Sequence, residues 1–385
     1  QKVQLLAVLI FGFDAINDKK TQQWNRIQTV LGLVYNLDAM TVSMTDKKIN
    51  KQVELKGKKI LFFCPKFFGY EKHIIAEIEA MGAEVSFLKD RLFDSPLQAA
   101  LTRLFPSIAT LLVSKFIVRM LDAMPNNSQF DLLFVINGQT LSKIFLSRFK
   151  VLNPNARSIL YIWDSLKNRA TLKEKFTYFD RIFTFDPADA KKYHLHFRPL
   201  FFVNNLKVTN KPVSNRRDCQ LMFVGTMHSD RFKVIRAFKT IVPTHVKTFI
   251  YPFIQAPWVY WVYKIFKKEY RDTKRVDFKF KPISEALLYK AYASSSIILD
   301  IEHPLQQGLT MRTLDSLGAG KKLITTNNNI RHYEFYNTNN IAIIDRHASE
   351  YHIDPRFWDS PYQEPDDLIY NKYTLRGWLQ ELLSF

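Results

Sequence analysis

Apolar residues fall into short unbroken runs along most of this chain, each bounded by charge or glycine. Lys58-Lys-Ile-Leu-Phe-Phe-Cys64 opens basic and continues apolar, the pattern of a strand buried on both faces of a parallel sheet. The period then changes: Ile74, Ile75, Ile78 and Met81 share one face of a helix over Glu71 to Met81, Gly82 ends it, and Glu84 to Leu88 (EVSFL) returns to a strand. Asp131 to Asn137 (DLLFVIN), Arg157 to Trp163 (RSILYIW) and Arg181 to Phe185 (RIFTF) repeat the strand pattern. This alternation predicts an α/β, doubly wound parallel sheet over residues 57–200.

The rhythm breaks after Arg198. Pro199, Pro212, several Asn and a basic cluster ending at Arg217 place a linker at residues 201–217. A second series begins at Cys219 and fills residues 218–346, with strands expected at Leu221 to Thr226, Ser296 to Asp300, Lys322 to Thr326 and Asn340 to Ile344. The expected architecture is therefore two Rossmann-like domains, with a ligand held in the cleft at the carboxyl ends of both sheets. Leu368 to Phe385 reads as one terminal helix in a tail that spans residues 347–385. Residues 1–56 have no clear pattern, and a chain that opens on Gln1 reads as a fragment or a trimmed form of something longer.

At 385 residues with 47% hydrophobic content, the chain is long enough for two cores and too apolar to be disordered. Its formal charge of +19 calls for an anionic partner: a nucleic acid, an anionic membrane leaflet or a phosphorylated substrate. Cys64 and Cys219 each sit in an apolar run with neither CxxC nor zinc spacing, so both read as core residues of a protein in a reducing cytoplasm. No run approaches the ~20 apolar residues that span a bilayer, and Val3 to Phe13 lacks the flanks of a signal peptide.

The chemistry concentrates in Gln307 to Ile324, QGLTMRTLDSLGAGKKLI, which reads as a loop, an amphipathic helix and a buried strand in succession. The helix would open near Leu309 and Thr310, turning unpaired amides and a positive dipole end toward the space above the sheet, where an anion fits. The spacing resembles the paired-acid signature of the group 1 nucleotide-sugar glycosyltransferases, with Asp315 at the second acid, Gly320 at the following glycine and uncharged Gln307 at the first acid. Leu221-Met-Phe-Val-Gly-Thr226 is similar to that family's first donor-domain strand, with Thr226 where the family has Arg and Arg231 where it has Lys. With ILDIEHP and NNNIRHYEFY in the same order, residues 57–346 resemble the CgeB-like and capsule or lipopolysaccharide glycosyltransferases of bacteria.

The resemblance implies a GT-B fold, a nucleotide-sugar donor and no required metal or other cofactor. It further implies that Asp315 holds the donor ribose and that the tail packs back on the first domain. Gly225 would let the backbone approach a diphosphate, Thr226, Gly308, Leu309 and Thr310 would line it, and Arg231 or Arg312 would neutralise it. Gln307 would hydrogen-bond the sugar. Asp315 also reads as a helix-surface carboxylate, and Arg312 as an arginine facing water.

Two residues at strand ends are candidate catalytic groups. Asp164 follows RSILYIW and reads either as a general base or as a helix N-cap; His303 follows Ile297 to Asp300 and reads either as an active-site or as a structural histidine. Asp186, in FDPADAKKY, reads as a cap with Pro at the first helical position. Glu71 and His73 are candidate acceptor contacts.

Two stretches point to a membrane surface. Tyr251 to Arg275 carries eight aromatics beside six Lys or Arg, and Gln98 to Met120 carries three cations, no acid and an apolar face. The alternative is that both bury their aromatics in a core. The expectation is a cytoplasmic enzyme, peripheral on the inner face of the membrane, that glycosylates a saccharide or lipid-linked acceptor. The competing classes are a nucleotide-sugar epimerase and a nucleic-acid-binding module. The basic residues are dispersed and lack a zinc-finger, RNP-like or basic-helix pattern, so no nucleic acid is expected as partner.

Overall fold

The computed structural model describes residues 55–66, 69–89, 129–168, 170–203 and 221–384. Most of the N-terminal extension, Gln98 to Met120, Cys219 and linker residues 204–217 lie outside them.

In the first domain, strands β1 (Lys59–Cys64), β2 (Glu84–Lys89), β3 (Leu132–Ile136), β4 (Arg157–Ile162), β5 (Arg181–Thr184) and β6 (His196–Phe197) form one parallel sheet in the order β2-β1-β3-β4-β5-β6. Helices α1 (Tyr70–Ala80), α2 (Lys143–Leu152) and α3 (Pro187–Tyr193) connect them. β1 and β3 are buried on both faces because their apolar runs do not alternate.

The second domain repeats the plan. β7 (Leu221–Thr226), α4 (Arg231–Lys239), β8 (Thr248–Phe253), α5 (Pro257–Phe266), α6 (Glu285–Ser294), β9 (Ile297–Asp300), α7 (Met311–Gly318), β10 (Lys322–Thr325) and β11 (Ile341–Ile343) follow in the chain. Its parallel sheet runs β11-β10-β9-β7-β8. Each sheet reverses its strand order once, between β1 and β3 and between β7 and β9. Ligands of open α/β sheets bind at such reversals.

The tail holds α8 (Pro355–Asp359), α9 (Asp367–Lys372) and α10 (Leu375–Leu382). The single helix expected from Leu368 to Phe385 is therefore two. Thr374 breaks it by capping a new helix, its hydroxyl accepting from Gly377 N at 3.0 Å, while Phe202 pairs with the chain there through Phe202 N–Tyr373 O and Leu375 N–Phe202 O bonds of 2.9 and 3.0 Å. α10 buries Trp378 among Tyr161, Phe201 and Phe134 of the first domain, with ring centroids 4.7, 4.6 and 6.0 Å away. Buried Arg198 fastens the same element, donating to Lys372 O and pairing with Glu381 at 2.8 Å. One apolar cluster runs from β1 and β3 through Phe185 and Phe202 to Leu309, Leu314 and Trp378, so the domains share a core.

Candidate functional site

At the reversal in the second sheet, β7 and β9 pair only through Leu221–Ile297 and Met222–Ile298. Beyond that point, carbonyls on both strands need other donors, and two arginines supply them. Arg312 donates from Nε to Val224 O (3.1 Å) and from Nη1 to Asp300 Oδ1 (2.5 Å). Arg231 donates from Nη1 to Thr226 O (3.1 Å) and from Nε to Ile301 O (2.6 Å). Guanidinium groups thus join the strand ends where the ladder is missing. Gly225 has a packing role here. A Cβ there would lie 2.9 Å from Arg312 Nη2 and from the Phe223 ring, so the glycine admits an arginine that sits over that ring.

Thr310 is the N-cap of α7, its hydroxyl accepting from Thr313 N at 3.2 Å and donating to Asp300 Oδ1 at 2.9 Å. The cap and Asp300 thus engage the Thr310 hydroxyl, and the helix end with its dipole is the anion-facing feature. Asp300 is fully buried, and Thr313 Oγ1 also donates to it at 3.0 Å. Sequence reasoning missed Asp300. The signal was an acid closing the apolar run IILD, with Thr310, Arg312 and Thr313 grouped in the first turn of the next helix.

The loop before α7 meets the first domain. Gln307 N donates to Asp186 Oδ2 at 3.3 Å, while Asp186 Oδ1 caps α3 through Ala188 N at 2.9 Å. Gln307 is exposed, and its backbone carbonyl accepts from Asn327 Nδ2 at 3.2 Å. A Cβ on Gly308 would lie 2.7 Å from the ring and carbonyl of Phe185, so this glycine permits the close approach of the domains. Leu309 is buried in the shared core.

Asp164 stands two residues beyond Ile162, as Asp186 stands two beyond Thr184, the register partner of Ile162. Both acids therefore follow paired strands at one carboxyl edge. Asp164 Oδ1 accepts from Ser165 N at 3.0 Å, and the short helix that follows has its first amide, Leu166 N, on Asp189 Oδ2 at 2.7 Å. His303 Nδ1 accepts from Leu305 N at 3.2 Å, which assigns the proton of the neutral ring to Nε2 and makes that atom a donor. Its ring lies 5.6 Å from that of His228, a residue the sequence reading overlooked. Glu71 is buried in the first turn of α1.

Asp315 is buried, and Tyr70 of the first domain donates to its Oδ2 at 3.1 Å. A protein hydroxyl stands where the resemblance reserves a place for ribose. Burial raises the Asp315 carboxyl to about 7, against the opposing pull of the Tyr70 hydrogen bond and Arg312.

Around these groups the second-domain edge is crowded with cations. Burial, and then Arg312, lowers Arg231 to about 9, and among the described residues its hydrogen bonds go to carbonyls alone. Burial, followed by Arg231 and His303, drops His228 to about 2, so it is neutral. Arg346 pairs with Glu302 at 2.6 Å and with Asp230 at 3.3 Å, and Thr326 donates to Glu302. Among the described residues no group of three His, Cys, Asp or Glu is placed to hold a metal ion.

This is the GT-B fold, two Rossmann-like domains with all-parallel sheets. No family model matches the chain, and no curated protein matches it in sequence. Among solved structures it is similar to a glycosyltransferase from Rickettsia africae, with TM-score 0.55 and 10% identity over 85% of this chain and 97% of that one. At that identity the likeness is one of fold. An alpha-glucosyltransferase in complex with UDP and a 13-mer DNA also matches (TM-score 0.48, 13% identity, 84% and 94% covered). So does Anabaena HepE in complex with UDP and glucose (0.45, 10%, 85% and 95%).

Proposed function

We propose that the chain is a glycosyltransferase that moves a hexose or related sugar from a nucleotide-sugar donor to a saccharide or lipid-linked acceptor in bacterial surface polysaccharide synthesis. The reading places it in the cytoplasm, at the inner face of the membrane. The observation that carries it is Arg231: a buried guanidinium beside Arg312, bonded to carbonyls and depressed to about 9, at the sheet reversal beside the entry to α7. A bound diphosphate would relieve that repulsion. In this reading the two guanidiniums and the α7 dipole oppose the charge that grows on the leaving diphosphate, and no metal is called for.

His303 Nε2–H adds a neutral donor on the same side. On the first-domain edge Asp164 has the chemistry to accept the proton of the attacking hydroxyl. Asp315, tied to Tyr70, joins the domains across the donor site.

Calorimetric titration with UDP, GDP, ADP and CMP, and then with their sugars, tests the donor reading. One nucleotide is expected to bind, with affinity unchanged by a chelator. Failure of all four to bind would overturn it. Conversion of a nucleotide-sugar to its epimer, with no transfer to any acceptor, would favour the epimerase instead.

A further inference from the structure

Helix α5 is apolar on two faces, and only one of them is used by the core. Val259 and Tyr260 are buried, and Tyr263 packs beside them against Tyr270. Trp258, Trp261 and Ile265, spaced at three and four residues, form a stripe on the outside with Phe266 beside it, and they are 49%, 53%, 68% and 56% exposed. Val276, 76% exposed, follows in the next segment. The core reading of Tyr251 to Arg275 thus holds for Tyr260 and Tyr270 and fails for both tryptophans. Exposed rings of this size, adjacent on one helix, mark an interaction surface.

The charges beside the stripe say what covers it. Residues 251–281 hold eight Lys or Arg against Glu269, Asp272 and Asp277. Lys268, Arg271, Lys274, Arg275, Lys279 and Lys281 are exposed. Exposed Arg236 of α4 joins the same face by donating to Glu269 O at 2.9 Å. Exposed tryptophans followed by a segment rich in exposed cations match an anionic bilayer, with rings at headgroup depth and ammonium and guanidinium groups on lipid phosphates. Among the described residues no helix is long and apolar enough to cross a membrane, so the contact is one of surface docking.

We infer that the face formed by Trp258, Trp261, Ile265, Phe266 and the adjoining cations is a docking surface for an anionic lipid bilayer. It borders the candidate donor site. Lys267, the residue after α5, donates to Ser229 O at 2.7 Å in the loop that carries His228. Docking through α5 therefore brings that loop close to the bilayer, where a lipid-linked acceptor would lie. Vesicle attachment needs no nucleotide, so the inference stands or falls separately from the donor reading.

The test is co-sedimentation of the full chain with vesicles of phosphatidylcholine alone and of phosphatidylcholine with phosphatidylglycerol, without nucleotide. Binding is expected to the anionic vesicles and to fall with salt. The exposed triple substitution Lys268→Glu, Arg271→Glu, Arg275→Glu should lower partitioning at least about a hundredfold, at roughly fivefold for each cation lost. Independently, chain-brominated lipid should quench the tryptophan fluorescence of the parent, and Trp258→Ser with Trp261→Ser should remove that quenching. Equal binding to neutral and anionic vesicles, undiminished binding of the triple variant, or no quenching in the parent would each overturn the inference. So would salt-sensitive binding of DNA or RNA that the triple variant loses while vesicle binding survives.

Discussion

The carboxyl edges of the two sheets each carry one strand-order reversal and differ in charge. On the first, Asn137, Asp164 and Asp186 are held by backbone amides of Trp163, Ser165 and Ala188, and buried Lys175 is turned onto the carbonyls of Gly138 and Gln139. On the second, Arg231, Arg312 and Arg346 converge with two histidines, and the carboxylates Asp300 and Glu302 are buried behind them. Two domains built alike thus present an edge of oxygen acceptors to an edge of cations. Such a polarised site suits an anionic group on one side and a hydroxyl on the other.

The largest effect should come from removing the carboxylate on which the cationic edge rests. Asp300→Ala strands Arg312 with Val224 O alone and leaves the hydroxyls of Thr310 and Thr313 without their acceptor. A buried ion pair broken from one side costs about 3–5 kcal/mol. Urea unfolding should show a loss of that order, and a loss under about 1 kcal/mol would mean that the second edge does not depend on this carboxylate.

That dependence was hidden in the sequence, although the strands themselves were legible. Buried parallel strands need apolar residues on both faces, so KILFFC and LLFVI announce themselves locally. The positions of Arg231, Arg312 and Asp315 were legible for the same local reason, each lying beside a recognisable strand or turn. Their partners were not. Arg231 and Arg312 aim inward because β7 and β9 part after Met222, and Tyr70 finds Asp315 across 245 residues of chain. Both depend on how distant elements are set, which no local period records. Gly308 and Phe185 were likewise invisible as a pair, because only domain docking brings a ring within 2.7 Å of the glycine's missing side chain.

Arg231 separates the two edges next. Its loss should weaken the bound nucleoside diphosphate by about 2–3 kcal/mol while leaving the nucleoside almost unaffected, since its proposed partner is phosphate. Calorimetry on Arg231→Ala with both ligands checks this. Equal weakening of the two would reduce Arg231 to a stitch between β7 and β9.

Asp315 tests the interface between the edges. Its carboxyl titrates near 7 in the fold and near its ordinary value of roughly 4 when unfolded, so between those pH values the folded state binds more protons. Stability therefore falls as pH rises through that window, and the full cost is present above it. Asp315→Asn keeps an oxygen for Tyr70 and removes the charge. At pH 8 the variant should be more stable by about 4 kcal/mol, from a rise of about three pH units in that carboxyl, with the gain vanishing below pH 4; thermal unfolding across pH measures it. A gain that does not change with pH would exclude titration of Asp315 as its source.

Tyr70→Phe should have the smallest effect and the most particular signature. Removing the 3.1 Å bond between domains is expected to cost about 1 kcal/mol, and because that bond favours ionised Asp315, its loss should push the carboxyl further above 7. The cost should therefore be greater at pH 8 than at pH 5. In a double-mutant cycle with Asp315→Asn it should shrink, since Tyr70 then meets a neutral amide oxygen in place of a carboxylate. Additive costs that are equal at both pH values would show that the pair does not latch the domains. The edges would then be held together by Asp186 on Gln307, by Phe185 against Gly308 and by the shared apolar core.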